Sequence, residues 1–101
     1  MEINKKKEND VCELGIAGRL DTTTAPQLED ELRELFTHGE KSLVLDLQEL
    51  DYVSSAGLRV LLFAQKSVNA TEGKMVLKNV KPEIMEVFDI TGFTDILNIK
   101  S

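Results

Sequence analysis

Apolar and polar positions alternate from Val11 to Leu20, where Cys12, Leu14, Ile16 and Leu20 recur at period two, and the pattern predicts a strand. Gly15 and Gly18 within it allow a bend or a close backbone approach. Met1 to Lys7 reads as a short edge strand or ordered tail, with Glu8-Asn9-Asp10 as the turn of a hairpin. The period then lengthens. Leu28, Leu32, Leu35 and Phe36 recur at helical spacing, Thr24-Ala25-Pro26-Gln27 has the form of a capping box with proline in the first turn, and Gly39 ends the helix. Consecutive apolar residues from Leu43 to Leu47 predict a strand covered on both faces, as in parallel sheets. A polar and aromatic loop leads to Ser54-Ser55-Ala56-Gly57 and a second helix from about Ser55 to Asn69. On that helix Leu58, Leu61, Leu62 and Val68 should meet the sheet, while Val60, Phe63 and Ala64 lie roughly opposite, a second apolar side that is either covered in turn or presented as a patch to a partner. Lys74 to Lys78 gives a further strand. Lys81-Pro82 opens a third helix with Ile84, Met85 and Phe88 inward, stopped by Gly92, and Phe93, Ile96, Leu97 and Ile99 close the chain as a packed strand or short helix. Strands alternating with helices define one α/β domain over residues 1–101, an N-terminal hairpin leading through right-handed crossovers into a mostly parallel sheet packed with helices.

Composition narrows the partners more than the fold. Eighteen acidic against twelve basic residues give a net charge of −6, which argues against nucleic acid. No apolar run approaches the ~20 residues of a membrane span, and the Lys-rich N-terminus lacks an apolar signal region, so the expected location is cytoplasmic. Cys12 is the single cysteine, read as buried packing, and no cluster of metal ligands or cofactor motif is visible. Gly73-Lys74 is not a phosphate loop, because Val68 and Met75 stand where glycine and Ser or Thr are required.

The chemistry-bearing residues gather at strand ends. Ser54 and Ser55 sit where a helix begins, and unpaired amides and the peptide dipoles make that position receptive to a capping hydroxyl or to a phosphate. Asp46 and Asp21 follow predicted strands and are candidates to share an edge with the serine loop. Ser55, Arg59, Leu62 and Lys66 fall along one helical stripe, so Arg59 is placed to neutralise a phosphate on Ser55 or to guide a partner. His38 reads as a favourable cation at a helix end, without a nucleophile or acid beside it.

Gly18-Arg19-Leu20-Asp21 with Thr22 to Pro26, then LVLDL, YVSSAGLRVLL and Gly92-Phe93-Thr94-Asp95-Ile96-Leu97, resemble the STAS family, and in particular the bacterial anti-sigma-factor antagonists. The resemblance covers nearly the whole chain and implies a serine in the strand-to-helix loop that a partner kinase phosphorylates. Carried over, the acceptor falls on Ser55, with Ser54, which replaces the usual aspartate, as the alternative; Ala56 and Gly57 match the small residue and glycine that follow. It further implies docking through Asp21, Ser54, Ser55, Ala56, Gly57, Arg59, Val60 and Phe63 onto an anti-sigma factor that is a serine kinase. In the family it resembles, a metal-dependent serine phosphatase restores the binding form, which implies such a partner here. A constitutive STAS adaptor of a transporter or sensory complex is the second reading, kept by the Asp-to-Ser change at Ser54. An enzyme is the weakest, because no nucleophile, base and orienting group come together in the sequence. Weak nucleotide contact at the strand-end edge and a homodimer stay open.

Overall fold

The chain, described over residues 1–100 in a computed structural model, folds as β1 (Glu2–Glu8), β2 (Val11–Leu20), α1 (Ala25–Thr37), β3 (Ser42–Asp46), β4 (Leu50–Val53), α2 (Ser55–Ala70), β5 (Lys74–Lys78) and α3 (Pro82–Thr91). A short 3-10 turn, Phe93–Asp95, follows. β1 and β2 form the expected antiparallel hairpin, turning through Asn9 and Asp10, both at positive φ. β2 pairs in parallel with β3, and β3 with β5, so the spatial order is β1-β2-β3-β5.

The far half of β2 makes a different pairing. Beyond Gly15 the strand leaves β3, and from Gly18 to Leu20 it runs parallel to β4, with a register shift between Gly18 and Arg19. Gly18 sits at φ +102, a conformation that an L side chain rarely adopts, and its amide donates to the Glu49 carbonyl at 2.9 Å. β4 corrects the sequence reading, which took Gln48 to Val53 as loop. Its inward residues Leu50 and Val53 are three apart and flank exposed Asp51 and Tyr52, so no alternation announces a strand.

The sheet is also covered on one face only. Cys12, Leu14, Ile16, Leu43, Leu45, Met75 and Leu77 point into a single core with Phe88, Leu28, Leu32 and Leu61. Val44 and Val76, alternating with them, are half-buried on the other face, where Lys78 reaches Glu13 at 3.1 Å. The doubly covered strand read from Leu43 to Leu47 is therefore corrected: β3 alternates, and Leu47 is buried after the strand has ended. At the C-terminus Leu97 is buried and Ile99 bridges to Leu77, but Ile96 remains 44% exposed rather than packed.

Helix boundaries agree with the periodicity to within a residue or two, and Gly92 terminates α3 at φ +80. The capping box at Thr24 is not formed. Its hydroxyl turns back to donate to the Arg19 carbonyl at 2.7 Å and to accept from the Asp21 amide at 2.9 Å. Leu50→Ala should cost about 2–5 kcal/mol in urea unfolding, the range for emptying a fully buried leucine site. Asp51→Ala, on the exposed side of β4, should stay within about 1 kcal/mol.

Candidate functional site

The site is built where β2 and β4 end side by side. The Ser54 amide donates to the Leu20 carbonyl at 2.9 Å, which ties the serine loop to the residue before Asp21. Ser54 is extended (φ −99, ψ 177) and caps α2: its Oγ accepts from the Gly57 amide at 3.4 Å, and its carbonyl accepts from Leu58. Ser55 is the first residue of the helix and is exposed, so the two adjacent serines differ in role: one is engaged as the cap, the other faces solvent.

Asp21 stands against this loop and is half-buried. Its Oδ1 accepts from the Thr24 and Thr23 amides at 3.2 and 3.0 Å, an Asx-type turn that leads into α1. Those amides hold its carboxyl below the ordinary 3.8, with Arg19 contributing at 3.7 Å, while partial desolvation opposes them. Arg19 also lies over the Tyr52 ring, 4.1 Å from its centroid, and Tyr52 is 40% exposed. This stacked pair was not foreseen. Arg19 and Tyr52 are partners in the β2–β4 register, so their meeting becomes visible only once β4 is recognised.

Asp46 does not join them. It pairs with Gly15, and Asp21 lies past the far end of β2, on the order of 20 Å further along at strand rise. Asp46 instead accepts from the Gln48 amide at 3.1 Å and the Asn79 side chain at 3.0 Å, and so fixes the β3 and β5 ends. His38 donates from Nδ1 to the Glu34 carbonyl at 2.8 Å, at the end of α1.

Along α2 the predicted faces need one correction. Val60 is 4% exposed and Ala64 fully buried, so both belong to the core rather than to an outward patch; Leu62, assigned inward, is half-buried. The 16-residue helix passes between neighbours on two sides, with α1 covering the Val60 side. Gly57 is also buried; a Cβ there would lie 2.7 Å from Leu20 Cγ and 2.9 Å from Val53 Cγ2, so glycine lets the helix start press onto the strand ends. Ser55, Ala56, Arg59, Phe63 and Lys66 remain at the surface or half-buried. Phe63 packs edge-on to Phe36 with centroids 5.9 Å apart, and the Arg33 guanidinium lies 4.5 Å over its other side. Among the described residues no group of three or more His, Cys, Asp or Glu could hold a metal ion, and no helix is long and apolar enough to cross a membrane.

The STAS domain family model matches residues 2–101, and the chain, with its mixed α/β sheet and its serine-capped helix, belongs to that family. Its relatives are anti-sigma factor antagonists: the anti-sigma-B factor antagonist of Bacillus subtilis is 36% identical over 104 residues, covering 100% of this chain and 94% of the relative. BtrV of Bordetella bronchiseptica is 44% identical over 84 residues, covering 83% of this chain and 72% of BtrV. The fold matches the Bacillus anti-sigma factor antagonist SpoIIAA in its unphosphorylated form, with a TM-score of 0.79 at 16% identity, covering 99% of this chain and 88% of that one. SpoIIAA in its phosphorylated form matches with a TM-score of 0.77 at 17% identity, covering 99% and 92%.

Two measurements check this geometry. Ser54→Ala should lower stability by about 1 kcal/mol through loss of the cap, whereas Ser55→Ala should change urea unfolding by less than about 0.5 kcal/mol. For Asp21 the folded carboxyl titrates below its unfolded value, so its contribution to stability is present above the ordinary 3.8 and is lost as pH falls through the folded midpoint. An NMR titration of the Asp21 carboxyl carbon should therefore show a midpoint below 3.8, moving back toward it in Thr24→Pro, which lacks the first amide.

Proposed function

We propose that the chain is an anti-sigma-factor antagonist which, unphosphorylated, docks through its serine loop and α2 onto a serine-kinase anti-sigma factor and so releases the sigma factor. Phosphorylation of Ser55 by that kinase switches docking off, and a metal-dependent serine phosphatase restores it. The chain itself carries out no chemistry: it is the substrate and the binding surface, and it acts in the cytoplasm.

The observation that carries this reading is the division of labour between Ser54 and Ser55. Ser54 holds the helix start, leaving Ser55 exposed for transfer of a phosphoryl group without dismantling the cap. A phosphate there adds about −1.5 to −2 charges next to the helix N-terminus, one turn before Arg59, where the protein can tolerate it. Within a docked interface the same charge has to be desolvated against a surface built for a neutral hydroxyl, and that breaks the complex. Asp21, Ala56, Arg59, Phe63 and the Arg19–Tyr52 pair complete the contact surface. The existence of SpoIIAA in unphosphorylated and phosphorylated forms supports a reversible mark in this fold.

Intact-mass spectrometry with fragment mapping, on protein from its native cells, should find one phosphate that disappears in Ser55→Ala and persists in Ser54→Ala. In titration calorimetry against the partner kinase, Ser55→Ala should bind like the unmodified chain and Ser55→Asp at least about tenfold more weakly. Equal affinities would rule out the switch.

A further inference from the structure

We infer that the groove that opens between α1 and α2 and continues along α2 is a docking site for an acidic helical segment of a partner protein, carrying apolar anchors on one side. The inference rests on the reading of this chain as an interaction module, and not on modification of Ser55. Two adjoining depressions, of about 420 and 470 Å³, share Arg59 and Phe63 and run from Thr22 and Pro26 at one end to Ala70 at the other. Their floor is apolar, formed by Phe63 and Leu62. Their rim is cationic, with Arg33, Arg59 and Lys66.

That sign is opposite to the rest of the molecule, whose net charge is −6. Arg59 and Lys66 make no ion pair among the described residues, and Arg33, although bonded to Glu29 at 2.9 Å, is held over the Phe63 ring. Glu29 is the single carboxylate lining either depression. Uncompensated cations around an apolar floor are complementary to carboxylates flanking apolar side chains. A trough drawn out along one helix suits the helix-in-groove mode, and α2 offers about 24 Å of length at helical rise, enough for four turns. A polyanion such as nucleic acid would meet the remaining negative surface and is disfavoured. A second copy offers two acidic helices, α1 with Glu29, Asp30, Glu31 and Glu34 and α3 with Glu83, Glu86 and Asp89, but α1 exposes no large apolar anchor and α3 exposes a single one, Ile90, against two depressions to fill.

The test uses the full chain, isotope-labelled and carrying Ser55→Ala, titrated with two synthetic four-turn helices that share Leu and Phe anchors and differ in having Glu or Lys elsewhere. The glutamate helix should shift the amides of Phe63, Lys66 and Ser67, and the lysine helix should not. Combined Arg59→Glu and Lys66→Glu, both at exposed positions, should weaken binding about tenfold while leaving the melting temperature unchanged. Equal responses to the two helices, or shifts mapping elsewhere, would overturn the groove assignment, as would self-association in sedimentation that Lys66→Glu abolishes. Because Ser55 is absent from this experiment, its failure leaves the phosphoserine switch standing, and failure of that switch leaves a positive groove result intact.

Discussion

Everything at the front of this molecule depends on β2 changing partners part-way along its length. A strand that stayed paired with β3 throughout would end beside Asp46, with the serine loop elsewhere. At Gly18 the backbone takes a conformation open to glycine, the register slips by a residue, and the second half of β2 is handed to β4. The hydrogen bond from Ser54 to Leu20 then becomes geometrically available, and with it the closeness of Asp21, the Arg19–Tyr52 stack and the start of α2. Two distant stretches of chain, Arg19 to Asp21 and Tyr52 to Ser55, converge because one strand serves two neighbours in succession.

What the sequence disclosed follows from how directly each element writes its burial into spacing. β2, α1, α2 and α3 bury residues at regular intervals, α1 and α3 open on proline, α3 closes on Gly92 and α2 opens on a serine cap, so they were legible almost to the residue. β4 was not, because its two inward side chains are three apart and it is only four residues long. Missing β4 hid Arg19 and Tyr52 as a pair, since their contact is a matter of register between distant segments. The same limit governed Val60 and Leu62. Helical spacing tells which residues share a side, but which side meets α1 depends on where the second helix lies across the sheet. At Thr24 the local signal was real and lost to a competing acceptor, the Arg19 carbonyl.

The division between front and back is equally physical. On its bare face the sheet accepts half-buried valines beneath a lysine–glutamate pair, while every helix packs onto the opposite face and joins one core. Surface chemistry on the helix side is therefore free to concentrate cations around α2 although the chain as a whole is acidic. Specificity in such a molecule lies in where charge is placed rather than in its total.

Phe63, gripped between the edge of Phe36 and the guanidinium of Arg33, has a kinetic consequence. An aromatic anchor already confined to one pose gives up little rotational freedom when it is covered, and encounter needs no prior rearrangement of the chain. Association is then set by diffusion and charge steering, and the lifetime of a complex is set by how quickly it comes apart. A regulator built this way can change hands rapidly, its choice between competitors decided at the moment of release.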